Sequence, residues 1–195
     1  MPETTRLEVP HLMEVLIASA DIRRRVCELG NQIARDYPDS TPLLVGVLNG
    51  CICFVSDLMQ AIAIPHELDF VSVSSYGAAS ESSRNPRLVK DLEKAIAGRD
   101  VILVEDIVDS GHTLHFLRET LLSRAPRSLR IAALLDKSER RERAVPLDYV
   151  GFAVPDRFLV GYGLDFAERF RHLPYIAALS PAEIEAEPGH HEEVA

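Results

Sequence analysis

Three carboxylates, two hydroxyl residues and a glycine stand together where an apolar run of the sequence ends. Residues 101–104 are apolar, Glu105 and Asp106 follow them, and residues 109–113 read Asp-Ser-Gly-His-Thr before apolar residues return at Leu114. Carboxylates accept hydrogen bonds from sugar hydroxyls and bind hard cations such as Mg²⁺. Side chains of these types at the end of a buried strand predict a binding site for a polar ligand.

The segment at residues 109–113 has the composition of a tight turn that begins a helix. Gly111 permits the turn, and the backbone amides of residues 110–113 would then point outward at the helix N-terminus. Such a group of amides favours a phosphate, and Ser110 and Thr113 add hydroxyl donors. The spacing is neither that of a P-loop (GxxxxGKS/T) nor that of a dinucleotide turn (GxGxxG). An ordinary turn that only caps a helix is the alternative interpretation.

The neighbouring acids, Glu105 and Asp106, help to separate the two interpretations. Their charges would repel a bound phosphate, so we do not expect them to contact it directly. Successive residues of a strand point to opposite faces, and an ordinary strand end would therefore leave at least one acid buried without a partner. A ligand that places a phosphate on the turn and hydroxyl groups on the acids would have the layout of ribose 5-phosphate.

Strands and helices alternate along the chain and would position these residues. Helical spacing of apolar residues predicts helices at residues 19–36, 53–63 and 112–125. Apolar and β-branched runs predict strands at residues 42–48, 66–77, 100–108, 128–136, 148–155, 158–165 and 175–179. Residues 77–100 begin with small polar residues and a proline, which is the composition of a mobile loop.

This alternation predicts an α/β fold with a mainly parallel sheet flanked by helices. In such a sheet, ligands bind at the carboxyl ends of the strands. Residues 49–50, 105–113 and 137 should therefore lie at one edge of the sheet.

The composition limits the function classes. The chain has 195 residues, of which 47% are hydrophobic and 26% charged, and this predicts one domain with a substantial core. The net charge is −9 and no dense basic cluster occurs, so a nucleic-acid partner is disfavoured. No signal peptide, membrane span or CxxC pair is visible, which predicts a cytoplasmic protein without a membrane partner. The acidic tail at residues 181–195 is expected to fray.

Residues 101–114 resemble the phosphoribosyl-pyrophosphate signature of the type I phosphoribosyltransferases, which is an apolar run, two acids, two apolar residues and Asp/Ala-Ser/Thr-Gly-x-Thr. Four other segments resemble motifs of the members that use 6-oxopurine bases: VLNGCICF at 47–54, SSYG at 74–77, LLDK at 134–137 and the stretch 150–171. The five motifs occur in family order. The resemblance implies the type I phosphoribosyltransferase fold, with a core at about residues 35–150 and a small hood from about 1–15 and 150–180.

The resemblance also implies roles around the ribose phosphate. Glu105 and Asp106 would hold the ribose hydroxyls, partly through Mg²⁺. The 5′-phosphate would lie on a turn made of Asp109, Ser110, Gly111, His112 and Thr113. Asp109 would in addition lie near N7 of the purine as the general acid and base. His112 occupies the position of the turn that varies within the family. At this position the backbone amide matters more than the side-chain ring.

For the base, the resemblance implies that Lys137 donates to the exocyclic O6, which favours 6-oxopurines over adenine. Phe158 would stack on the purine, and Leu159 would offer backbone groups to its edge. Asp165 would border the purine site and bind a second Mg²⁺.

For the pyrophosphate, the implied groups are a loop at Leu48, Asn49 and Gly50 together with Arg171. The family often has a cis peptide after the leucine position of this loop. Asn49 stands where many members carry lysine, so the loop of this chain has one positive charge fewer. Ser75 and Tyr76 would form a lid over the reacting centre.

The function implied is purine salvage: transfer of the 5-phosphoribosyl group from phosphoribosyl pyrophosphate to N9 of hypoxanthine or guanine, giving IMP or GMP and pyrophosphate. A regulator on the same fold that senses phosphoribosyl pyrophosphate is one alternative. A regulator should have a basic surface and could lack Asp109 or Lys137, whereas this chain is acidic and keeps both. A transferase for xanthine is the other alternative, which Lys137 alone does not exclude. The resemblance also suggests a homo-oligomer, either a dimer or a tetramer.

Overall fold

The computed structural model describes residues 13–74 and 86–185, which contain two β-sheets and four α-helices. The strands are β1 Met13–Ile17, β2 Leu43–Leu48, β3 Glu67–Ser74, β4 Arg87–Lys90, β5 Asp100–Val108, β6 Ser128–Asp136, β7 Tyr149–Ala153, β8 Leu159–Val160 and β9 Ile176–Leu179. The helices are α1 Ser19–Asp36, α2 Ile52–Ala61, α3 His112–Leu122 and α4 Pro181–Glu185, and a 3₁₀ turn covers Ser138–Arg140. None of the described helices is long and apolar enough to cross a membrane.

The larger sheet has the strand order β4-β3-β2-β5-β6-β7, and every pair in it is parallel except β3 with β4. Alternate residues of the central strand β5 face opposite sides. Ile102 joins a buried cluster with residues of α1 and α2, and Leu103 joins another with residues of α3. Because helices cover both faces, β5 reads in the sequence as one continuous apolar run. The predicted α/β fold with a mainly parallel sheet is confirmed.

The carboxyl ends of three neighbouring strands carry the predicted site segments. The strands β2, β5 and β6 end at Leu48, Val108 and Asp136. The parallel register pairs Val108 with Asp136, and the amide of Lys137 donates to the carbonyl of Val108 at 3.0 Å. The pyrophosphate loop, the phosphate turn and Lys137 therefore follow at the same edge of the sheet, as the sequence predicts.

The second sheet is antiparallel, in the order β1-β9-β8. The prediction of one strand at residues 158–165 is wrong beyond Val160, because the chain turns there. Gly161 and Gly163 have φ angles of +97° and +103°, and a Cβ atom at these positions would lie 2.0 Å from the Tyr175 carbonyl oxygen and 2.1 Å from that of Gly50. One tight turn, closed by hydrogen bonds between Gly161 and Leu164, thus replaces the end of the predicted strand, and it brings this loop against the pyrophosphate loop.

Two strands were missed by sequence reasoning. The strand β1 pairs with the distant β9, and β4 pairs at the edge of the sheet with β3. The prediction of a loop throughout residues 77–100 is therefore wrong at 87–90, where the partner strand and not the local composition decides the conformation. The predicted helix at 112–125 ends earlier, at Leu122. The lid residues Ser75 and Tyr76 lie outside the described residues.

Candidate active site

A cavity of about 270 Å³ opens at the carboxyl edge of the larger sheet. Its walls come from the end of β2, the end of β5 and the start of α3. The predicted site residues that line it are Leu48, Gly50, Glu105, Asp106, Asp109, Ser110, Gly111 and Thr113. The structure thus brings the pyrophosphate loop at residues 48–50 next to the acidic pair and the phosphate turn, which are distant from it in the sequence.

The phosphate turn is built around a left-handed glycine. Gly111 has a φ angle of +86° and is the residue that caps α3, so no side-chain oxygen caps the helix at this position. A Cβ atom here would lie 2.5 Å from the carbonyl oxygen of Arg143. The carbonyl of Ser110 accepts hydrogen bonds from the amides of Glu142 and Arg143, each at 3.0 Å. The turn is therefore not an ordinary side-chain cap, and the first amides of α3 are available to an anion.

The two acids at the end of β5 are enclosed. Asp106 is 8% exposed and accepts a hydrogen bond from the amide of Ile107 at 2.8 Å. Glu105 has a buried carboxylate oxygen, Oε2, with no hydrogen-bond partner among the described residues. Burial, reinforced by the charge of Asp106, raises the pKa of Glu105 well above its usual range. Burial also raises the pKa of Asp106 to about 6.

This acidic pair fits a divalent cation. The donors are oxygens, which suit a hard ion such as Mg²⁺, and a cation would compensate both the buried charge and the unpaired oxygen of Glu105. Within residues 13–74 and 86–185, no group of three acidic, histidine or cysteine side chains could hold a metal by itself. A cation held by Glu105 and Asp106 would therefore complete its coordination with oxygens of substrate and water.

We expect Asp106→Asn to stabilise the ligand-free protein at pH 8 by on the order of 2 kcal/mol. The pKa of about 6 lies above the ordinary value of 3.8, so the folded protein binds more protons than the unfolded chain between these values. The free energy of unfolding of the native sequence consequently falls as the pH rises through this window. Urea denaturation of both proteins at pH 4 and pH 8 measures the difference, which should be small at pH 4. A variant that is less stable at pH 8 would contradict the raised pKa.

Four charged side chains alternate in sign next to the cavity. The Lys137 ammonium lies 3.5 Å from Asp109 Oδ2 and 3.9 Å from Asp156 Oδ1. The guanidinium of Arg140 lies 3.5 Å from Asp109 Oδ1 and 3.7 Å from Asp156 Oδ1. Lys137 is only 5% exposed, which excludes a solvated strand end. Its buried charge is balanced by the two carboxylates, as a buried ammonium requires.

Several of these contacts were missed by sequence reasoning. Arg140 reaches Asp109 because β5 and β6 are neighbours in the sheet, and Asp156 reaches Lys137 because β6 and β7 are neighbours. Arg141 donates to the Asp109 carbonyl at 3.0 Å and also pairs with the carboxylate of Asp136, so it joins the ends of β5 and β6. No local pattern in the sequence signals these long-range pairs.

The ring of His112 also has a partner that the sequence did not predict. Its Nε2 lies 2.8 Å from Glu142 Oε2. The amide of Glu142 donates to the Ser110 carbonyl in the phosphate turn. The loop after β6 therefore contacts the turn through both its backbone and this side chain.

The pyrophosphate loop lies directly over the acidic pair. The peptide bond between Leu48 and Asn49 is cis, as is frequent at this position of the family resembled. The side chain of Asn49 is exposed. A Cβ atom at Gly50 would lie 1.6 Å from Asp106 Oδ2, so only glycine fits between the loop and the acid. The loop and the acidic pair therefore form one packed unit.

The remaining predicted residues lie just before β8, on β8 and on the loop that follows it. Phe158 is half-buried and packs edge to face on Phe166, with ring centroids 5.1 Å apart. Leu159 is buried in the smaller sheet. Arg171 lies 2.8 Å from Asp165 and donates to the Gly163 carbonyl at 2.9 Å. The positive charge of Arg171 lowers the pKa of Asp106, although burial raises this pKa by more. Arg171 therefore lies on the side of the loop that faces the acidic pair.

The fold and the site together define a phosphoribosyltransferase. The sequence matches the phosphoribosyl transferase domain family over residues 18–167, and the chain belongs to this family.

The relatives of this chain show which phosphoribosyltransferases it is similar to, namely those that act on hypoxanthine or on hypoxanthine and guanine. The hypoxanthine phosphoribosyltransferase of Salmonella typhimurium is 50% identical over 168 residues, which are 85% of this chain and 94% of that protein. The hypoxanthine-guanine phosphoribosyltransferase of Bacillus subtilis is 46% identical over 173 residues, which are 89% and 96% of the two chains. The crystal structure of a hypoxanthine-guanine phosphoribosyltransferase from Bacillus anthracis superposes with a TM-score of 0.81 at 43% identity, and the match covers 85% of this chain and 98% of that one.

Proposed function

We propose that this protein transfers the 5-phosphoribosyl group from phosphoribosyl pyrophosphate to N9 of hypoxanthine, guanine or both, and releases pyrophosphate. The products are IMP and GMP, and the reaction class is pentosyl transfer. The observation that carries the proposal is the buried ammonium of Lys137, 3.5 Å from Asp109, beside a cavity that combines a phosphate turn with an acidic pair. Relatives of similar length with this activity support it.

The ribose phosphate would bind across the end of β5. The 5′-phosphate would accept hydrogen bonds from the amides of residues 110–113 and from the hydroxyls of Ser110 and Thr113. The ribose hydroxyls would donate to Glu105 and Asp106, whose carboxylates face the same cavity. This arrangement keeps the phosphate away from the two acids, which would repel it.

The base would bind between Lys137 and the smaller sheet. The Lys137 ammonium would donate to O6 of the purine, which favours a 6-oxo group over the 6-amino group of adenine. Asp109 would accept the proton at N7 as N9 attacks C1 of the ribose. Phe158 would stack on the ring, while the backbone of Leu159 and the neighbourhood of Asp165 would border its edge.

Departure of pyrophosphate leaves positive charge on the ribose and adds negative charge to the leaving group. The backbone amides around Asn49 and Gly50 and the guanidinium of Arg171 would stabilise that negative charge. Arg171 is paired with Asp165 and Glu168 in the ligand-free protein, so it must exchange part of this pairing for the leaving group.

Magnesium is part of the proposal, as are the lid and the assembly state. Glu105 and Asp106 would hold one Mg²⁺ ion and Asp165 a second, and a bound ion supplies charge stabilisation for the pyrophosphate.

Ser75 and Tyr76 are proposed to cover the reacting centre and exclude water. We also propose a cytoplasmic homo-oligomer, which sedimentation can test.

The decisive experiment is a panel of bases with phosphoribosyl pyrophosphate and Mg²⁺, in which pyrophosphate release is followed. Hypoxanthine or guanine should turn over, and adenine should have a kcat/KM lower by about 100-fold or more, because a buried donor would lack its acceptor. Chelation of the metal should abolish the reaction. Release with xanthine alone would favour a xanthine transferase. No release with any 6-oxopurine would favour a regulator that senses phosphoribosyl pyrophosphate.

A further inference from the structure

A hydrogen bond between Tyr162 and Asp57 joins the two segments that carry the proposed pyrophosphate groups. The Tyr162 hydroxyl donates to Asp57 Oδ2 at 2.6 Å, and the tyrosine is only 8% exposed. Asp57 lies in α2, the helix that begins at Ile52 directly after the pyrophosphate loop. Tyr162 lies at the start of the loop between β8 and β9, which carries Asp165 and Arg171.

The backbone around Tyr162 leads directly to Arg171. The amide of Tyr162 donates to the Leu173 carbonyl at 2.7 Å, and the amide of Gly163 donates to the Arg171 carbonyl at 3.0 Å. The Arg171 guanidinium returns a hydrogen bond to the Gly163 carbonyl at 2.9 Å. A displacement of Tyr162 would therefore move both ends of the loop and the guanidinium with it.

The backbone at Tyr162 needs support from its surroundings. Its φ angle is +50°, in the left-handed region that favours glycine and is uncommon for an aromatic residue. Gly163 next to it approaches the Gly50 carbonyl so closely that a Cβ atom would lie 2.1 Å away. A conformation of this kind persists where neighbouring contacts hold it, and the bond to Asp57 is such a contact. Burial and the nearby Asp57 raise the pKa of Tyr162, which keeps its hydroxyl a donor.

We propose that Tyr162 and Asp57 are positioning residues for the pyrophosphate end of the active site. Their hydrogen bond fixes the loop that carries Arg171 and Asp165 relative to the pyrophosphate loop at residues 48–50. Both residues act through Arg171, whose guanidinium must be in place when the leaving group departs. This inference rests on the proposed transfer reaction and adds residues to its site.

Tyr162→Phe tests the proposal because it removes only the hydroxyl. We expect the KM for phosphoribosyl pyrophosphate and the calorimetric Kd for pyrophosphate with Mg²⁺ each to rise about 10-fold, the effect of one hydrogen bond to a charged group. The KM for hypoxanthine should rise less than the KM for phosphoribosyl pyrophosphate, because Lys137 and Phe158 are not on this loop and Asp165 only borders the proposed purine site. Asp57→Asn, which keeps an acceptor oxygen, should retain more pyrophosphate affinity than Asp57→Ala.

Tyr149→Phe is a matched control. Tyr149 is also buried and also donates to an aspartate, Asp36, at 2.8 Å, but it lies in β7 and does not line the cavity. This variant should lose stability in thermal unfolding while its Kd for pyrophosphate stays at the native value.

The proposal is overturned if Tyr162→Phe binds pyrophosphate as tightly as the native protein, or if both tyrosine variants weaken binding equally. It is also overturned if the KM values for both substrates rise together. Failure of the proposed reaction is a separate outcome, recognised when the native protein releases no pyrophosphate with any base. Direct binding of pyrophosphate to the native protein and the two variants tests the positioning role in that case as well.

Discussion

Replacing Asp109 with asparagine is expected to lower kcat by about 100- to 10,000-fold, the usual contribution of a positioned proton acceptor. The amide cannot take the N7 proton, whereas the shape of the side chain and the backbone of the phosphate turn are kept. The Kd for phosphoribosyl pyrophosphate should therefore change less than about threefold, because the phosphate contacts come from amides and hydroxyls. Single-turnover kinetics and calorimetry measure the two quantities separately.

The structure offers a matched control for this change. Asp156 also lies near the Lys137 ammonium, at 3.9 Å, and near the Arg140 guanidinium, at 3.7 Å, but it is not part of the phosphate turn. Asp156→Asn removes a carboxylate from the same charge cluster, and we expect kcat to fall less than about 10-fold. Equal losses of turnover in the two variants would show that Asp109 acts only through the charge balance around Lys137. Equal losses of kcat and of binding in Asp109→Asn would likewise contradict the role in proton transfer.

Gly50→Ala is expected to lower kcat/KM for phosphoribosyl pyrophosphate by about 100-fold or more, because small displacements of catalytic groups have effects of this size. The added methyl carbon would lie 1.6 Å from Asp106 Oδ2, so either the carboxylate or the pyrophosphate loop must move. Both groups belong to the proposed binding site for ribose and pyrophosphate. Initial rates at varied phosphoribosyl pyrophosphate and saturating hypoxanthine measure the effect.

Gly98→Ala separates this effect from the general cost of a methyl group. Gly98 has a φ angle of +70°, and nothing lies within 4 Å of the position of an added Cβ atom. The variant should lose about 1 kcal/mol of stability, since alanine is strained in the left-handed region, while its kinetics stay native. Native kinetics in Gly50→Ala would contradict the close packing of the pyrophosphate loop on Asp106.

The bounds of the buried strands and the phosphate turn illustrate what local patterns predict well. The bounds of β5 and β6, residues 100–108 and 128–136, were predicted without error because buried parallel strands are continuous apolar runs. The start of α3 at His112 was predicted because Gly111 marks the turn before it. The resemblance to a family supplied the individual roles of the site residues, and these stay predictions until the variants are measured.

The errors arose where a distant partner decides the conformation. The strand β4 forms because β3 offers an edge, and β1 forms because β9 lies beside it. The chain turns at Gly161, where the contact with the Tyr175 carbonyl leaves no room for a side chain and therefore requires glycine. Short segments of this kind carry little information of their own, so their composition alone predicts loops or longer strands.

The sequence by itself determined the alternation of strands and helices, the glycine-centred turn at residues 109–113 and the acidic pair before it. These features depend on residues that are close along the chain, and their periodicity and turn chemistry are therefore visible in one segment. Only the tertiary structure decided that Lys137 lies 3.5 Å from Asp109, that Gly50 covers Asp106 and that Tyr162 binds Asp57. Such pairs depend on the register of parallel strands and on the packing of separate loops, and local patterns do not encode either.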